Sequence, residues 1–111
     1  MAGEIRLAAG VQATLAESDA LFVVARSAGP SQAPPVAVVK HLGVKLPLRY
    51  RIGQEDVMLP GTFFQDPVRV RVLVRRSGFV GVPGPGDLEG EAMAVASPGA
   101  TDVDVELAPV R

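Results

Sequence analysis

Cysteine and tryptophan are absent from the 111 residues, and histidine and tyrosine occur once each. Without cysteine there is no disulfide framework, no thiolate metal site and no covalently attached haem. A lone histidine, His41, leaves triad and metal chemistry without a second imidazole or thiol to complete it. Long apolar runs are missing too. The longest, Ala20–Ala25, falls far short of the ~20 residues that a membrane helix requires. The first fifteen residues place Glu4 and Arg6 where a secretory signal needs unbroken apolar sequence. Nor does one sign of charge dominate. Eleven basic and twelve acidic residues leave a net charge of −1, which excludes a polybasic nucleic-acid or membrane protein in bulk.

What remains is a chain of single-domain size, spanning 1–111, with 48% hydrophobic residues and a mean hydropathy of +0.28. Such a domain removes roughly 65% of its unfolded surface from water, enough for one core. Twelve glycines and ten prolines make 22 of 111 residues, or 20%, against about 12% on average. Short elements joined by tight turns follow from that excess.

The hydrophobic period is two. In Val68–Arg75 the valines fall on one face and the arginines mostly on the other, as in a half-buried strand. Asp102–Leu107 repeats the alternation with acids outside, and Leu46–Ile52 repeats it with Leu46, Leu48, Tyr50 and Ile52 on one side. Pro47 cannot donate to a ladder, so it marks an edge or a strand beginning. Ala20–Ala25 is apolar on both faces and reads as a central strand. Glu4–Leu7 and Val36–Lys40 are shorter candidates, and Gly90–Val95 is a weaker one. Val11–Asp19 has room for only a turn or two of helix. The prediction is all-β: a two-sheet sandwich of about seven or eight short strands.

The blocks also carry a family likeness. Ala20-Leu21-Phe22-Val23-Val24-Ala25-Arg26 precedes a Gly/Pro loop, Pro35-Val36-Ala37-Val38 and Leu46-Pro47-Leu48. Glu55-Asp56-Val57-Met58 then precedes Pro60-Gly61, and Val68–Ser77 precedes Gly78 and Gly86-Asp87-Leu88-Glu89-Gly90. In this order they resemble the C-terminal immunoglobulin-like domain of CycH/CcmI-type cytochrome c biogenesis proteins, from roughly Gly3 to Leu107. In that family the domain is periplasmic and follows a membrane anchor and helical repeats that capture apocytochrome c, parts with no counterpart here. The resemblance implies an immunoglobulin-like β-sandwich that attends cytochrome c maturation or a cytochrome-containing complex at the periplasmic face of the membrane. The chain itself shows no signal peptide, which leaves the cytoplasm open. No active site and no cofactor are implied.

The residues that might suggest chemistry have plainer readings. His41, between Lys40 and Leu42, reads as a loop residue at a strand end. A haem held axially by His41 and Met58 has neither an attachment motif nor aromatics to line a pocket, and Met58 reads as a core plug. Gly81, Gly84, Gly86 and Gly90 are not a phosphate loop, because Pro83 and Pro85 remove amides and no helix follows. An ordered turn with Asp87 capping backbone amides fits better. Glu55 and Asp56 point to opposite faces if extended. Asp87, Glu89 and Glu91 can share a face, but without EF-hand spacing they read as a solvated edge rather than a calcium site.

Charge placement is more informative. Eight of eleven bases, among them Arg49, Arg51, Arg69, Arg71 and Arg75, lie between residues 40 and 76, and six of twelve acids follow them. One reading is cross-strand pairing, at ~0.2–1 kcal/mol per pair. The other is a basic face that docks an acidic partner. Phe63, Phe64 and Phe79 are candidate interface anchors, since adjacent rings on an extended chain face opposite ways. The expected function is a non-enzymatic protein-interaction module in cytochrome c biogenesis or cytochrome complex assembly. Its partner would be a protein: a c-type cytochrome, or its assembly or electron-transfer complex. Neither nucleic acid nor membrane insertion by this chain is expected. The alternative is a structural accessory subunit docked on a membrane electron-transfer complex.

Overall fold

A computed structural model of the chain describes residues 1–11, 17, 19–27, 35–43, 45–53, 56, 68–76, 87–92 and 100–109. Seven strands occur in this order: β1 (Ala2–Leu7), β2 (Ala20–Ser27), β3 (Pro35–Leu42), β4 (Leu48–Arg51), β5 (Val68–Arg75), β6 (Leu88–Glu91) and β7 (Val105–Pro109). Among the described residues no helix is long and apolar enough to cross a membrane.

The all-β expectation holds, and several strands lie where the alternation puts them. β5 coincides with the predicted Val68–Arg75. Its four valines, Val68, Val70, Val72 and Val74, are at most 1% exposed. Each contributes up to ~1.5–3 kcal/mol relative to an exposed position. β2 is central, between β3 and β5, and apolar on both faces as expected. Leu21, Val23 and Ala25 join the main core, whereas Ala20, Phe22 and Val24 form a second cluster with Leu73 of β5. Pro47 immediately precedes β4, which is an edge strand. Other bounds shift: β1 starts at Ala2 rather than Glu4, β3 spans Pro35–Leu42 rather than Val36–Lys40, and β4 spans Leu48–Arg51 rather than Leu46–Ile52. β6 starts at Leu88 rather than Gly90, because Leu88 is the residue that reaches the core. β7 starts at Val105 rather than Asp102, since Asp104 N–H turns back to the Asp102 carbonyl at 3.0 Å. Val11–Asp19 lies mostly outside the described residues.

The strands follow one another as hydrogen-bonded neighbours in the order β3-β2-β5-β6-β7-β1-β4. They form one continuous mixed sheet rather than two separate ones. The cause is β7, which changes partner along its length. Val105–Leu107 runs parallel to Ile5–Leu7 of β1, whereas Ala108 and Pro109 pair antiparallel with Glu89 and Leu88 of β6. The sheet curls so that every strand contributes to one core, from Ile5 of β1 and Ala37 of β3 to Tyr50 of β4 and Leu107 of β7.

Two glycines permit that curl. A Cβ on Gly3 would sit 2.0 Å from the Val103 carbonyl oxygen, and one on Gly90 would sit 2.1 Å from that of Glu106. Both lie where the chain leading into or along β7 crosses another strand closely.

Candidate functional site

The five arginines expected to form one basic face are divided by the topology. Arg69, Arg71 and Arg75 belong to β5, and Arg49 and Arg51 to β4. Strands β6, β7 and β1 lie between them. At about 4.8 Å per strand, the two groups do not make one patch.

On β5 the arginines alternate with the core valines and lean across onto β6, which is paired Arg71↔Glu91 and Leu73↔Glu89. Arg69 Nη1 lies 4.0 Å from Glu91 Oε1. Arg71 donates to Glu89 Oε1, and Arg75 Nη2 donates to Glu89 Oε2 at 2.7 Å. Arg75 Nε lies 4.0 Å from Asp87 Oδ2. Next along the chain, the Arg76 N–H donates to Asp87 Oδ1 at 2.8 Å, and the Arg76 guanidinium pairs with Asp19. Three cations, Arg71, Arg75 and Arg76, thus meet three carboxylates, Asp19, Asp87 and Glu89. Cross-strand compensation accounts for this group.

Three expectations change here. Arg75 is not at the surface: its side chain is only 4% exposed, and Nε and Nη1 are enclosed without a hydrogen-bond partner. Asp87 and Glu89 are not a solvated edge. β6 lies between β5 and β7, and their side chains are 6% and 14% exposed. His41 is not in a loop: β3 runs through it to Leu42, opposite Leu21, and its half-buried ring encloses an Nε2 without a partner. Asp87 does accept from a backbone amide, that of Arg76 just after β5, whereas the Pro/Gly turn it was expected to cap lies outside the described residues. Asp56 also works locally, accepting from the Gly53 N–H at 2.9 Å. Gly90 contributes a close strand crossing, not a phosphate cradle.

Glu55, Met58, Phe63, Phe64, Phe79, Gly81, Gly84 and Gly86 lie outside the described residues. Among the described residues, no three His, Asp or Glu side chains are grouped to hold a metal ion.

The other outer face, on β4, β1 and β7, is wetter. Arg6 is shared by three acids: Glu4 at 3.3 Å, Asp104 at 3.6 Å and Glu106 at 3.9 Å. Beside them on β4, Arg49 and Arg51 are exposed, and Lys45 is exposed just upstream. Arg49 reaches only the Thr101 carbonyl, at 3.4 Å, and no carboxylate lies within 4.0 Å of Arg49, Arg51 or Lys45 among the described residues. Beneath this face Tyr50 is buried, and its hydroxyl donates to the Val103 carbonyl at 2.6 Å. Burial, and secondarily the negative charge of Asp104, hold the Tyr50 phenol well above its usual range.

Sequence reasoning missed Leu42, the one large apolar side chain left exposed among the described residues, at 60%. It also missed the Gly3–Val103 crossing, which no local pattern announces.

No curated protein and no solved structure matches the chain. One family does: the Ig-like domain of cytochrome c-type biogenesis protein H matches residues 1–108. With nearly its whole length covered, the chain belongs to the family of cytochrome c-type biogenesis protein H Ig-like domains.

Proposed function

We propose that this domain is a non-catalytic protein-interaction module of cytochrome c biogenesis, acting at the periplasmic face of the membrane. The observation that carries the reading is the family match over residues 1–108. The side-chain arrangement supports it. Ionisable groups on β5 and β6 neutralise one another instead of converging on open space, and a rigid sheet presents its remaining charges outward. In this reading the curled sheet is the immunoglobulin-like sandwich of the family name, with β7 shared between its two halves. The partner is a protein, either a c-type cytochrome or a component of its assembly or electron-transfer complex.

Affinity purification of the tagged chain from its native host tests this. Recovery of apocytochrome or assembly factors that are absent from a tag-only control supports the module. Stoichiometric recovery with a finished, detergent-solubilised electron-transfer complex would instead establish an accessory subunit. Turnover of a substrate by the purified chain would overturn both.

A further inference from the structure

Strand β4 closes one end of the sheet, and only β1 pairs with it among the described residues. The register is Ala2↔Arg51, Gly3↔Tyr50, Glu4↔Arg49 and Ile5↔Leu48. In an antiparallel ladder, alternate pairs exchange hydrogen bonds, and the residues between them turn their N–H and C=O groups to the other side. Four hydrogen bonds set the phase. The Ile52 N–H donates to the Met1 carbonyl at 3.0 Å, so that pair is a bonded one. Across β1, the Ala2 N–H donates to the Ala100 carbonyl at 2.8 Å and the Ala2 carbonyl accepts from the Val103 N–H at 3.0 Å. The Glu4 N–H donates to Asp104 Oδ1 at 2.9 Å. Ala2 and Glu4 therefore turn away from β4. Tyr50 and Leu48 are the bonded partners of Gly3 and Ile5, and Arg49 and Arg51 direct their backbone groups to the edge away from β1.

The same two residues carry charges that have no carboxylate partner among the described residues. Being two apart, their side chains share the outer face about 6.8 Å from each other along the strand. A neighbouring strand with carboxylates at alternate positions repeats that spacing, and its backbone meets both outward amides and both outward carbonyls. The acid in register with Arg49, Glu4, is drawn to Arg6 at 3.3 Å. Lys45, three residues before the strand, is a further exposed base.

We infer that the β4 edge is a docking site for an extended acidic polypeptide segment, which adds to the sheet as a further strand with its carboxylates over Arg49 and Arg51. This deepens the interaction-module reading and rests on it. It names which surface is used and what chemistry the partner presents.

The probe is a blocked synthetic octapeptide alternating Glu with Val, added to the intact chain and followed by amide hydrogen exchange in NMR. Exchange at the Arg49 and Arg51 amides is expected to slow at least about tenfold at saturation, while Tyr50, already bonded to β1, is unchanged. N-methylation of the peptide at alternate residues, which removes its donors, should weaken binding about tenfold or more, as should a Lys–Val peptide. R49E/R51E should reverse the preference in favour of the Lys–Val peptide. R49Q/R51Q, which brings no new charge near Glu4, should weaken the Glu–Val peptide with the unfolding midpoint unchanged. Equal binding of the N-methylated peptide, protection that falls on β3, or tighter binding of phosphatidylglycerol vesicles or a DNA oligonucleotide would each overturn the inference. Purification of R49Q/R51Q beside the wild type in the native host separates the two readings. The same partners in the same amounts would remove the β4 assignment and leave the module standing, whereas no specific partner for either would remove both.

Discussion

The Tyr50 hydroxyl donates a buried hydrogen bond to the Val103 carbonyl at 2.6 Å, and that carbonyl occupies the space where any side chain on Gly3 would begin. One contact thus ties β4, β1 and the segment that leads into β7. Gly3→Ala would place its Cβ 2.0 Å from the carbonyl oxygen, and the obstructing atom is backbone that cannot rotate aside. Displacement of the 100–104 segment follows, with loss of the tyrosine contact. A destabilisation of at least ~2 kcal/mol is expected from the clash and the orphaned hydroxyl together, read as a fall in the urea midpoint.

Stability should also fall at high pH through the same residue. The folded state keeps the Tyr50 phenol protonated, chiefly by burial and then by Asp104. The unfolded chain ionises near pH ~10. The contribution is therefore fully present below pH ~10 and is lost as pH rises above it, by up to ~1.4 kcal/mol per unit. Tyr50→Phe should flatten that slope while lowering stability near neutrality by about 1–2 kcal/mol. As the chain has a single tyrosine, its near-ultraviolet absorbance reports the ionisation directly. A normal tyrosinate titration in the folded protein would refute the prediction.

Glu89 accepts from both Arg71 and Arg75, and its removal strands a guanidinium whose side chain is 4% exposed. Glu89→Ala is expected to cost about 3–5 kcal/mol. The double replacement Arg75→Met with Glu89→Leu should be markedly milder than Glu89→Ala alone, because it removes one buried cation together with one carboxylate instead of unbalancing the group. Chemical denaturation of both variants decides this.

Two leucines give a control on the core. Leu21 is 0% exposed and packs in the main cluster, so Leu21→Ala should destabilise by ~2–5 kcal/mol. Leu42 is 60% exposed, so Leu42→Ala should stay within ~0.5 kcal/mol of the parent. Thermal unfolding of both variants checks the contrast.

Much of the strand framework was readable in advance, and the reason is local. Period-two alternation in Val68–Arg75 reports directly which side chains share a face, because each residue of an extended chain turns over its neighbour. Burial on both sides of β2 was legible for the same reason, as was the strand boundary at Pro47. The candidate site was less legible. Alternation separates Arg69, Arg71 and Arg75 from the valines, but it does not say what lies on the next strand. That β6 supplies Glu89 and Glu91, with Asp87 immediately before it, is a matter of register between segments more than ten residues apart. Arg75 was misjudged on this account, since its burial depends on acids that sequence order does not place beside it. His41 was misjudged because β3 continues two residues beyond the apolar run that marked it.

By itself, the sequence determined an all-β chain without thiol chemistry, with one face of each strand apolar and its basic and acidic residues in separate stretches. Tertiary structure decided which of those charges remain outward. Pairing β5 with β6 neutralises one set of arginines, and placing β4 at the end of the sheet leaves Arg49 and Arg51 with no carboxylate within 4.0 Å among the described residues. The physical reason is that strand alternation is a property of consecutive residues, whereas neighbours across a ladder are chosen by how the whole sheet buries its apolar face.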